Sequence, residues 1–262
     1  MTEIYQIDLT KKLLAAMPDA ERRLLLLLGH ATNEINVFQK LILMSGQGTP
    51  TLQFVDHVQA GQTLILMRTL IGKLHEAWEL FRTRFLSDRQ VTELYLPQLN
   101  AEALAALESL KRHFGTQSPL TLIRNRFSFH YRDDWDLAEQ SFREIPDDEA
   151  WQFYLSNMHG NSFFYASELV VAGGAIKLAN RAPDPTETYL EASARSFEEL
   201  CDLTIEVSAC IQTLFGECIT AIVSERLPEA ESVATTELRG LRALRDVEIP
   251  FFVDDTEFKP KG

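Results

Sequence analysis

Apolar residues recur at steps of three and four along most of the chain, the spacing of amphipathic helices. From Pro18-Asp19 to about Ser45, one face carries Leu24, Leu27, Leu28, Ala31, Ile35 and Phe38. The turn Ser45-Gly-Gln-Gly-Thr-Pro50 closes that helix. A second helix is predicted from about Thr51 to Ser87. Its Leu64, Met67, Ile71, Leu74, Trp78, Phe81 and Phe85 form a three-heptad seam suited to lengthwise packing. Asn100 caps a third helix, Ala101 to about Phe114, which Gly115 ends. Pro119 fits the first turn of the next. After Pro146, a helix from Asp147 to about Asn180 is expected to kink or break at Gly173-Gly174 before Pro183 and Pro185 end it.

The last long helix, about Thr186 to Arg226, places Phe197, Leu200, Thr204, Val207, Ile211, Leu214, Cys218 and Ala221 at strict 3–4 alternation. It is the natural partner of the second helix. Residues 1–18 read as an irregular lead-in. Beyond Leu227 the periodicity fades, although Val247–Val253 suits a short extended piece. The expected fold class is all-α, a helical bundle with long antiparallel helices. The expected organisation is a single helical domain over 1–226, with its core at 19–182 and a packing helix at 186–226, then a less regular segment over 227–262.

Composition adds little to this and excludes some functions. With 45% hydrophobic and 24% charged residues among 262, the chain is ordinary globular material. A net charge of −13 argues against non-specific coating of nucleic acid, and nothing signals DNA binding. Cys201, Cys210 and Cys218 have neither zinc-site nor disulfide spacing, which fits a reduced compartment. The first residues lack a signal-peptide layout, and the longest purely apolar run is Leu24–Leu28. A cytoplasmic protein without membrane attachment is expected.

Charge does change the picture at one place. Ser109–Arg132, 24 residues, carries five Lys/Arg and no Asp or Glu, so the rest of the chain holds −18. Such an island attracts phosphate. At its end stands Leu122-Ile-Arg-Asn-Arg-Phe-Ser-Phe-His-Tyr131. As a strand, this segment would put Arg126, Ser128, His130 and Arg132 on one face. As a helix, which Pro119 favours, Arg126 and His130 face the same way and Arg124 lies about 120° around. Histidine can exchange a proton near neutral pH. Arginine can hold a phosphate in bidentate fashion and stabilise charge gathering on it. Asn125 can orient either partner.

Arg124-Asn125 followed by His130 resembles the Arg-x(4–6)-His signature of the HEPN superfamily, in which the residue after arginine is usually polar and often asparagine. The resemblance implies a helical bundle that dimerises and brings two motifs into a shared cleft. It implies a metal-independent endoribonuclease, of the kind found in toxin–antitoxin and other defence systems, in which a 2′-hydroxyl attacks and cyclic phosphate ends result. The roles carry over as His130 general acid/base, Arg124 phosphate stabiliser and Asn125 orienting residue, with Arg126, Tyr131 and Arg132 on the substrate. RNA or a nucleotide is then the expected ligand and a second copy the expected partner. No cofactor is implied.

Other residues offer weaker alternatives. Arg23…His30 and Arg68…His75 also fall within the permitted spacing, with Leu24 and Thr69 in the asparagine position. His30/Glu34 and His75/Glu79 are i,i+4 pairs, but no Glu-x-x-His repeat accompanies them, so no metal site is expected. The competing functional reading is a non-catalytic helical dimer or protein-binding module that uses the two long seams.

Overall fold

A computed structural model describes residues 2–45, 52–115, 118–128, 136–147, 152–157, 159–179, 186–228, 232–238, 241–242, 246–247 and 249–252. Among these are nine α-helices and two strands. In chain order they are β1 (Thr2–Ile7), α1 (Lys11–Ala16), α2 (Asp19–Ser45), α3 (Gln53–Phe81), α4 (Arg89–Tyr95), α5 (Ala101–His113), α6 (Pro119–Ile123), α7 (Asp136–Glu144), α8 (Tyr165–Ala179), α9 (Tyr189–Arg226) and β2 (Ser232–Leu238). The fold is all-α.

The chain forms two compact units. Unit 1 comprises Met1–Val37, Lys73–Ser118 and Ile205–Ala243; unit 2 comprises Phe38–Gly72, Pro119–Thr204 and Leu244–Gly262. Parts of α2, α3 and α9 therefore belong to each.

In unit 1 the core is aromatic. Phe81 stacks on Phe85 and on Phe215 of α9, with ring centroids 4.6 and 5.6 Å apart, and Trp78 stacks on Phe114 at 5.6 Å. The seam positions Leu74, Trp78, Phe81 and Phe85 are buried here, as are Val207, Ile211, Leu214 and Cys218 of α9. Leu24, Leu25, Leu28 and Ile35 of α2 are buried too. Leu27, expected on that face, is 39% exposed; Leu25 takes its place, so the buried stripe is turned by part of a residue step.

A polar cluster links three helices of this unit. Arg226 grips the Glu21 carboxylate with both Nε (2.5 Å) and Nη2 (2.8 Å), and the buried Tyr95 hydroxyl donates to the same carboxylate. Burial alone would raise the Glu21 carboxyl, but the hydrogen bonds from Arg226 and Tyr95 and the Arg226 charge outweigh it. The group therefore sits below its usual 4.5. Burial, with the Glu21 hydrogen bond and charge, pushes the Tyr95 phenol well above its ordinary range, so it remains a donor.

In unit 2 the other seam positions, Leu64, Met67 and Ile71, are buried, and the Cys201 thiol of α9 meets the Met67 sulfur at 3.6 Å. Burial, and next the charges of Asp202 and Glu198, push the Cys201 thiol up to about 11. The α9 helix starts at a reciprocal cap: Thr188 N–H donates to Glu191 Oε2 (2.9 Å) and Glu191 N–H to Thr188 Oγ1 (3.3 Å). A long stretch of α9 is apolar enough to cross a bilayer by length and composition. Its apolar positions Leu200, Val207, Ile211 and Leu214 are nonetheless buried within the protein.

Three expectations change. The lead-in contains β1, which pairs antiparallel with β2 from Thr2↔Leu238 to Ile7↔Ser232. Partners more than 220 residues apart leave no hairpin signal in either segment. The helix expected over 147–180 begins only at Tyr165. Before it, Tyr154 and Phe163 exchange backbone hydrogen bonds (2.8 and 2.7 Å) as an isolated antiparallel bridge. The α8 helix then runs through Gly173-Gly174 without a break. Burial of Ala172 and Ala175 on either side supplies packing that offsets glycine's poor helix propensity.

The Phe163 ring also explains a glycine. A Cβ on Gly61 of α3 would stand 2.7 Å from Phe163 Cε1 and closer still to Cζ.

Two outcomes follow. Glu21→Gln should lower the unfolding free energy by about 2–3 kcal/mol, read by chemical denaturation, because Arg226 and Tyr95 lose a charged acceptor. A carboxyl held low stabilises the fold above about pH 4.5 and loses that effect as pH falls through its folded value. Acid unfolding should accordingly be less steep below pH 4.5 in the variant than in the wild type. Gly61→Ala should cost about 1–3 kcal/mol through overpacking against Phe163, seen as a lower Tm.

Candidate functional site: the Arg124 turn and an aromatic pocket

Pro119, Leu120 and Ile123 of α6 are buried and anchor the helix from which the motif emerges. The chain does not continue as α-helix. Arg124–Ser128 forms a single π turn. A π turn takes one more residue per loop than an α turn, and such turns are frequent at functional sites. The expected facing of Arg126 and His130 extends beyond the described residues, which end at Ser128 here.

Within the turn, Arg124 Nη1 donates to Asn125 Oδ1 at 2.9 Å. The pair expected from the motif is thus joined side chain to side chain, with both residues half-buried, as is Arg126. Ser128 fastens the end of the turn. Its hydroxyl lies 2.8 Å from the Arg68 carbonyl of α3 and 3.4 Å from that of Ile123. Arg68 in turn directs its guanidinium to Glu168 of α8 at 2.8 Å, with the two side chains only 11% and 21% exposed. Burial pushes the Glu168 carboxyl up and the Arg68 charge draws it partly back. His130, Tyr131 and Arg132 lie outside the described residues, as do Asp133 and Asp134.

The basic island is divided between the units. Lys111 and Arg112 belong to unit 1, where Lys111 pairs with Glu108 (2.7 Å) and Arg112 donates to Ser109 (3.3 Å). His113 meets Glu206 at 3.0 Å, and this contact holds the Glu206 carboxyl below its ordinary range. Arg124 and Arg126 belong to unit 2.

The alternative Arg…His copies are engaged differently. Arg23 pairs with Asp19 (2.7 Å) on the exposed side of α2, and Arg68 is committed to Glu168. The i,i+4 pairs are taken up in ion pairs. Glu34 accepts from Lys73 (2.7 Å) with His30 3.7 Å away, and Glu79 accepts from Arg82 (2.6 Å). Among the described residues no cluster of three His, Cys, Asp or Glu is placed to hold a metal ion.

A second feature of unit 2 was not legible in the motif search. The segment around the Tyr154–Phe163 bridge borders an open pocket of about 580 Å³. Phe54, Phe153, Tyr154 and Phe252 supply aromatic surface; Ser156, Asn157 and Asn161 supply polar edges. Phe54 approaches Tyr154 and Phe252 with centroids 5.9 and 5.5 Å away. His57 stands behind Tyr154. Its Nδ1 is 2.6 Å from the Tyr154 hydroxyl, and its ring stacks on Tyr165 at 4.2 Å and 10°. Burial pushes the Tyr154 phenol above its ordinary range, so it stays protonated in this contact. The only trace of this in the sequence is aromatic density at 151–154 and 163–165 beside turn-forming Asn157, Gly160 and Asn161.

No protein-family model matches the chain, and neither a curated protein nor a solved structure matches it.

Ser128→Ala removes the hydroxyl that holds the turn to α3. It should cost about 1 kcal/mol and speed amide hydrogen exchange at 124–128, while exchange along α9 stays as in the wild type.

Proposed function

We propose that the chain is a HEPN-like, metal-independent endoribonuclease that acts on single-stranded RNA as a cytoplasmic homodimer, within a toxin–antitoxin or other defence system. The observation that carries this reading is the Arg124 guanidinium joined to the Asn125 amide in a π turn. His130 follows five positions after Asn125 in an otherwise helical chain. A guanidinium is planar, always charged and carries several N–H donors, the geometry that suits a phosphate oxygen.

The chemistry needs nothing beyond RNA and these side chains. The 2′-oxygen attacks the adjacent phosphorus, the new O2′–P bond forms and the P–O5′ bond breaks. His130 accepts the 2′-hydroxyl proton, and an imidazolium returns a proton to the departing 5′-oxygen. Arg124 stabilises the charge gathering on the non-bridging oxygens. Products are a 2′,3′-cyclic phosphate and a free 5′-hydroxyl.

The seam residues Leu64, Met67, Ile71, Leu74, Trp78, Phe81 and Phe85 are buried within the single chain, which supports the catalytic reading over a docking module built on that seam. Purified protein incubated with single-stranded RNA in a chelating buffer should leave cyclic phosphate ends. His130→Ala and Arg124→Ala should each slow cleavage by about 100-fold or more, and a 2′-deoxy nucleotide at the scissile position should block it. Cleavage equal in wild type and both variants, or cleavage insensitive to the 2′-deoxy change, overturns the assignment.

A further inference from the structure

We infer that the aromatic pocket of unit 2 is a recognition site for an unpaired nucleobase. Its volume of about 580 Å³ lies within the range of small-molecule sites and accommodates a base with part of its ribose. None of the residues that line it carries a formal charge. It therefore suits a neutral planar group better than a charged phosphate or ammonium.

Side chains of two kinds meet there. Phe153 is 56% exposed and meets Phe164 in a T-shaped contact (centroids 5.2 Å, 83°), so its ring is braced on one side while the side chain stays open to solvent. Phe54 and Tyr154 add further ring surface, and Leu155, 75% exposed, extends the apolar rim. Asn157 and Asn161 stand at its edge, the residue type that reads base edges through a carboxamide, with Asn157 Oδ1 accepting from the Ser156 hydroxyl at 3.4 Å. Exposed aromatic faces beside such groups are how proteins take up bases splayed out of a single strand.

Tyr154 is placed firmly enough for this role. Its hydroxyl is tied to His57, itself stacked on Tyr165, and its main chain is paired with Phe163. Phe163 is in turn seated against Gly61 of α3. The wall is thus built before any ligand arrives, which lowers the ordering cost of binding. This inference rests on the RNA reading for the strand that carries the base; a free nucleotide presents the same chemistry.

The test uses 2′-O-methyl oligoribonucleotides, which cannot be cleaved by the 2′-oxygen, with full-length protein and fluorescence anisotropy. Strands with bases are compared with abasic strands of equal length, and AMP, CMP, GMP and UMP are titrated by calorimetry. The base-bearing strand should bind at least about tenfold more tightly than the abasic one, the size of one lost base–aromatic stack. Phe153→Ala should bring it down to the abasic level, whereas Phe153→Tyr should preserve the difference. Arg124→Ala should weaken both strands alike, which separates phosphate contact from base contact.

Equal binding of base-bearing and abasic strands, or an unaltered preference in Phe153→Ala, overturns the proposal. So does binding of neither strand nor nucleotide by a protein that changes from dimer to monomer on Phe153→Ala, since the pocket is then an interface. Nucleotides bound without strands would keep the base site and remove the RNA reading. Base-dependent binding with no cleavage of ordinary RNA would keep the base site and remove only the nuclease.

Discussion

The helical architecture depends on one constraint, the uninterrupted 3–4 spacing of large apolar side chains along α3. A stripe so regular has to be buried, and each unit buries the part of it that it holds. Phe81 lies against Phe215 in unit 1 and carries Phe85 stacked on it; Met67 lies against Cys201 in unit 2. The α9 helix carries a matching stripe, of which Leu200, Val207, Ile211, Leu214 and Cys218 are buried. What remains for recognition is at helix ends, turns and the short bridge between α7 and α8.

Polar contacts then fix how the helices meet. Apolar packing alone tolerates rotation and sliding, since neighbouring leucines are nearly equivalent. The Glu21 carboxylate, held at once from α4 and α9, admits one arrangement of three helices. In the same unit, Gln212 of α9 donates to Asn36 of α2 at 2.6 Å and Lys73 of α3 reaches Glu34 of α2. Each of these pairs a residue of one long helix with a residue of another at a single register.

The long helices were legible because their signal is local and repeated. The start of α2 at Asp19, the Asn100 cap of α5 and the end of α9 at Arg226 agree with reading from caps and periodicity. The seam residues of α3 are all buried, as their spacing implies. The seven-residue α4 and the nine-residue α7 are too short for periodicity to reveal, although Asp88 caps α4 with bonds to two backbone amides. The β1–β2 pairing is encoded only by two distant segments together. In the candidate site, Arg124 and Asn125 could be selected from sequence, and the structure joins their side chains. The π turn could not be foreseen, because an α turn and a π turn differ by one residue per loop with the same side chains. The aromatic pocket was hidden for a different reason: Phe54, Tyr154 and Phe252 come from three separate stretches of chain.

Arg68 has two roles that belong to different parts of the residue. Its carbonyl accepts the Ser128 hydroxyl, and its side chain is clasped by Glu168. Three segments widely separated along the chain are therefore geared to one position on α3. A twist of α3 there, or a change in the charge of Glu168, would be transmitted to the loop bearing Arg124 without passing through solvent. The turn bearing Arg124 is thus tied to the packing of α8 through a single residue of α3.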